Sequence, residues 1–139
     1  MRTLAILLLP LALAGSGCTS KVSQCNRLIE VINQHTASLA TAIEGLAKIE
    51  TEPQVADEFA SVVEQAQTAV GALELEDPKV AEFASQYQNL LSEAKNLGVA
   101  LKASTGDAAK REEVIASADK VVSMEDGIVQ SVNAYCQAP

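Results

Sequence analysis

From Cys25 to Cys136 the apolar residues of this chain recur in alternating steps of three and four, and the pattern breaks at only three places. Such steps put side chains on one stripe of an α-helix, whereas a half-buried strand alternates every second residue. No Asn-Gly or Gly-Gly pair offers a hairpin turn. Two Phe, two Tyr and no Trp leave Ala, Val and Leu to fill the stripes. This pattern points to a few long helices, each burying one face against the others.

The first helix is expected from about Ser20 to Ile49, with its stripe on Cys25, Leu28, Ile32, His35, Leu39, Ala42, Leu46 and Ile49. Ile29 and Ile43 widen that stripe. In the first break, Thr51 and Gln54 have capping-box spacing and Pro53 suits a first helical turn. The second helix runs to about Leu73 on Ala56, Phe59, Val63, Ala66, Val70 and Leu73. Asp77-Pro78 reads as an N-cap followed by proline at the first helical position. The third helix runs to about Ala103 on Val80, Phe83, Tyr87, Leu90, Ala94, Leu97 and Leu101. Gly106 then offers a left-handed stop and Asp107 a new cap. The fourth helix runs to about Cys136 on Ile115, Ala118, Val122, Glu125, Val129, Val132 and Cys136, flanked by Val114, Val121, Ile128 and Tyr135. Gly127 inside it reads as a point of close approach or a slight bend. Short connections make sequential helices antiparallel neighbours. The expected fold is therefore all-α, an up-down-up-down four-helix bundle over residues 25–139. Three helices, with the second and third merged, is the alternative; Pro78 opposes it, because a helix rarely continues through the residue before proline.

Ahead of the bundle, Arg2 precedes an apolar run from Leu4 to Ala14, broken only by Pro10 and followed by Gly15-Ser16-Gly17-Cys18. A positive start, a short apolar run and small residues have the form of a secretory signal. The run is too short to span a bilayer, which takes about 20 apolar residues. Two processing routes are open. Ala12-Leu13-Ala14 fits a site that releases a chain beginning at Gly15. Gly15-Ser16-Gly17-Cys18 resembles the lipobox of bacterial lipoproteins, with Gly15 where that motif usually has Leu. The resemblance implies a signal peptide over residues 1–17 and a lipidated Cys18, palmitate among its acyl chains. Residues 18–24 then form a short tether, and the lipid bilayer is a partner through the Cys18 anchor. The implied location is the cell envelope. Thr19, in place of an inner-membrane retention Asp, implies the outer membrane.

Cysteine parity bears on the choice. Cys18, Cys25 and Cys136 make an odd set, which is awkward in an oxidising compartment. Lipid on Cys18 leaves the other two to pair. In the expected topology the start of the first helix and the end of the fourth share one pole. A disulfide Cys25–Cys136 is therefore expected, with two buried free thiols as the alternative. Two thiols fall short of the four ligands of a structural zinc site.

One polar interruption remains. His35, the only histidine, falls on the first stripe, and Glu125 is the only charged residue on the fourth. Counted from the paired cysteines they stand ten and eleven residues up, so their heights differ by about 1.5 Å. They are expected to share a polar core layer, with Tyr87 nearby; the alternative is that one or both face water. Such a layer can set helix register, or it can bind a ligand or sense protons. Haem between His35 and Met124 lacks an attachment motif. A di-iron site needs Glu-x-x-His on two helices. No glycine-rich phosphate loop occurs, and no nucleophile motif stands beside His35. The expectation is no metal, no cofactor and no enzymatic activity. The chain reads as a lipid-anchored interaction or accessory module for an envelope protein partner. A small-ligand or pH-sensing bundle built on His35 and Glu125 is the alternative. A net charge of −8 makes the chain a poor partner for nucleic acid or anionic lipid headgroups; it reads as solubility and self-repulsion, with a basic partner as the alternative.

Overall fold

The computed structural model describes residues 20–137, so the leader from Leu4 and the lipidation candidate Cys18 lie outside the described residues. Four long helices carry the fold: α1 (Lys21–Gly45), α2 (Val55–Gly71), α3 (Pro78–Ala103) and α4 (Ala108–Gln137). No strand occurs among the described residues. The second and third helices are separate, as Asp77-Pro78 requires. The Asp77 carboxylate accepts hydrogen bonds from the Lys79 and Val80 N–H groups at 2.9 and 3.0 Å. Gly106 takes a left-handed φ of 82°, and the Asp107 side chain then accepts from the Lys110 N–H at 3.0 Å.

The first break differs from the capping box expected at Thr51. α1 ends at Gly45 and passes into a 3₁₀ turn, Leu46–Lys48. The Thr51 hydroxyl donates back to the Lys48 carbonyl at 3.1 Å. Pro53 falls before α2, not inside its first turn. The Val55 and Ala56 N–H groups reach back to the Glu52 and Pro53 carbonyls at 3.1 and 3.3 Å. Backbone turns thus satisfy donors that a side-chain cap would otherwise serve.

The core lies along α2 and α3. Phe59, Val63, Ala66 and Val70 meet Val80, Phe83, Tyr87 and Leu90, all buried, and Leu28 of α1 is fully covered. Gly98 permits this approach, because a Cβ there would stand 2.7 Å from the Phe59 ring. Gly127 plays no such part: nothing lies within 4 Å of where its Cβ would be, which removes close approach as its role.

Each helix packs extensively on the next in sequence, but α1 and α4 meet far less. α4 keeps Val132 and Cys136 of the expected stripe in its packed face but is otherwise turned from that stripe. Ile128 and Val132 are buried, and Val121, Met124 and Tyr135 pack beside them. Ile115, Val122 and Val129 are 56%, 57% and 46% exposed. The flanking row Val121, Ile128 and Tyr135 therefore serves as the α3 contact. Contacts at the end of α4 set this rotation. The Tyr135 ring meets Phe83 edge-on at 5.8 Å, and its hydroxyl donates to the Asp77 carboxylate at 3.0 Å.

Candidate functional site

Two features stand out on this frame, a latched end and an open groove. The latch gathers the start of α1, the connection into α3 and the end of α4. Cys25 and Cys136 are joined by a disulfide across 111 residues of sequence. The buried Gln24 side-chain carbonyl accepts from the Glu76 and Asp77 N–H groups at 2.6 and 2.8 Å. The Arg27 guanidinium donates to the Glu74 carbonyl at 2.9 Å. The Lys21 ammonium lies 5.0 Å from the Tyr135 ring centre, within cation–π range. A backbone hydrogen bond from Val80, with further bonds from Tyr135 and Lys79, holds the Asp77 carboxyl below its ordinary range. The same Asp77 contact holds the Tyr135 hydroxyl above its own. Sequence reading found the two cysteines and Asp77 but missed Gln24. A glutamine one residue before a stripe position carries no signal until its partner is known.

The expected His35–Glu125 layer is not assembled. His35 is half-buried, Glu125 is exposed, and no ion pair or hydrogen bond joins them among the described residues. The rotation of α4 explains this, since it carries Glu125 to the rim of the packed face. Tyr87 does come near that height. Its ring is 4% exposed, and burial together with the Glu125 charge pushes its hydroxyl up to about 12. No group of three or more His, Cys, Asp or Glu side chains suited to a metal occurs among the described residues.

The groove lies where α1 and α4 stand apart. It encloses about 560 Å³, within the usual range for ligand pockets. Leu46 and Ile49 form one wall, Phe59 and Leu101 the floor, and Ile115 and Val122 of α4 the other wall. Glu50 and Arg111 also line it and form an ion pair that ties the end of the α1 segment to the start of α4. His35 and Glu125 are not among its lining residues. The readable trace of the groove was a second apolar row on α4, since a helix with one neighbour needs only one. No family model, curated protein or solved structure matches the chain.

Proposed function

We propose that this chain is a non-enzymatic module of the bacterial cell envelope, held to the outer membrane by lipid on Cys18, that binds a protein partner in the groove between α1 and α4. The fold behind this reading is an up-down-up-down bundle. The groove itself carries the reading, because apolar side chains left open to water on a small domain mark an interaction surface. The anchor is supported by the lipobox-like Gly15-Ser16-Gly17-Cys18 and by cysteine parity. With Cys25 and Cys136 bonded to each other, Cys18 is the thiol left over.

Direction along the bundle favours a partner in the aqueous space. Only Thr19 and Ser20 separate Cys18 from α1, so the latched end faces the bilayer. From Lys21 to Ile43, α1 rises about 33 Å, which sets the groove at the far end.

Two experiments test the reading. Cys18→Ser should move the protein from the membrane to the soluble envelope fraction; unchanged membrane association refutes the anchor. A photocrosslinking residue at Val122 should capture one defined envelope protein that the same residue at exposed Gln65 does not. Equal capture at both positions, or none at either, refutes the groove as a partner site.

A further inference from the structure

The rows on α4 identify what kind of partner the groove takes. Ile115, Val122 and Val129 repeat every seven residues and stay exposed. Glu112, Asp119 and Asp126 repeat at the same interval, each three residues before an apolar member, and all are exposed. Residues three apart are neighbours on a helix surface, so a carboxylate row borders the apolar row along its whole length. No described basic side chain forms an ion pair with any of these three acids. An apolar seam with a charged edge is the surface one helix offers another in a coiled coil. Across the groove, Ile43 of α1 is 57% exposed and continues the apolar surface.

We infer that the groove takes a basic amphipathic helix of the partner protein, its apolar stripe on Ile115 and Val122 in the groove and running on to exposed Val129 beyond it, its Lys or Arg side chains on Glu112, Asp119 and Asp126. This inference rests on reading the groove as a partner site. The contact row spans about 21 Å, so the occupant needs about four helical turns. A second copy of this chain fits poorly. Two α4 helices antiparallel about Val122 set their acidic rows on the same side, Asp119 within one residue's rise of Asp126, and a parallel pair offers the acids no basic partner. A free acyl chain would use the apolar row and leave the acidic row unused.

The test uses the full chain with its disulfide intact and two fluorescent helical peptides of about four turns. One carries Leu on a seven-residue stripe with Lys flanks, the other the same stripe with Glu flanks. The Lys peptide should bind saturably and more weakly as salt rises, and the Glu peptide should not bind. Val122→Asp and Ile115→Asp should each weaken the Lys peptide about tenfold or more, because docking would bury an unpaired charge. The sign is decisive: each substitution makes the protein more negative, so unspecific charge attraction would tighten binding. Unchanged or tighter binding overturns the inference, as does equal binding of the Glu peptide. A dimer in sedimentation that Val122→Asp abolishes also overturns it, in favour of a second copy. Asp119→Asn with Asp126→Asn leaves the apolar row intact and should lower the salt dependence. If the Val122 crosslink captures a protein through a segment that is not a basic helix, this inference fails while the partner site stands. Absence of both crosslink and peptide binding removes both.

Discussion

Single residues in this bundle are defined by what surrounds them, and Tyr87 shows how. Its hydroxyl is pushed from an ordinary 10.0 to about 12 by burial and by the Glu125 charge. The folded form therefore holds the proton to higher pH than the unfolded chain. The associated stability is intact below pH 10 and is lost as pH rises toward about 12. Urea unfolding across that interval should show a steeper loss for the parent than for Tyr87→Phe; parallel curves count against the assignment. The two internal helix glycines should respond with opposite signs. Gly98→Ala forces a methyl into the Phe59 ring and should destabilise by about 1–3 kcal/mol. Gly127→Ala meets nothing and should stabilise by up to about 1 kcal/mol through helix propensity. Thermal denaturation of the pair distinguishes these outcomes. Neither sign was legible in sequence, where both glycines simply interrupt helical runs. The His35–Glu125 pairing failed for a related reason: matched heights along two helices do not fix rotation about either axis.

At the level of elements, α2 and α3 were legible because each offers one apolar stripe. Ala56 to Val70 and Val80 to Leu90 lie buried where the stepping placed them. α4 was not, because Val114, Val121 and Ile128 repeat as regularly as Ile115, Val122 and Val129. What selects between the two rows is tertiary, the Tyr135 contacts with Phe83 and Asp77. Asp77 thus serves two elements, capping α3 and holding the end of α4. Its carboxyl is held below 3.8, chiefly by the Val80 N–H, so this contribution is present above that pH and is lost as pH falls through the lowered value. Asp77→Asn should lose less stability than the parent when urea midpoints at about pH 7 and about pH 3 are compared. An equal loss would mean that other carboxylates dominate acid unfolding.

For the whole molecule, the disulfide was legible because connectivity alone brought its ends together. The groove was legible only as a second apolar row on α4, because its opening depends on how far α1 stands from α4. Closing a loop of 111 residues should contribute about 4–5 kcal/mol by chain entropy, a share that Cys25→Ser with Cys136→Ser should remove. Urea midpoints of that variant and of the reduced parent should agree. A variant as stable as the oxidised parent would show that the link adds nothing to the fold. The same closure has a consequence for survival among proteases. The exposed connections at residues 50–54 and 105–107 both lie between the two bonded cysteines. A cut at either leaves one covalent particle, in which the carboxyl-terminal fragment still hangs from the amino-terminal one. Such a nicked molecule keeps its mass on a non-reducing gel, apart from the water gained, and separates into two pieces only when reductant is added.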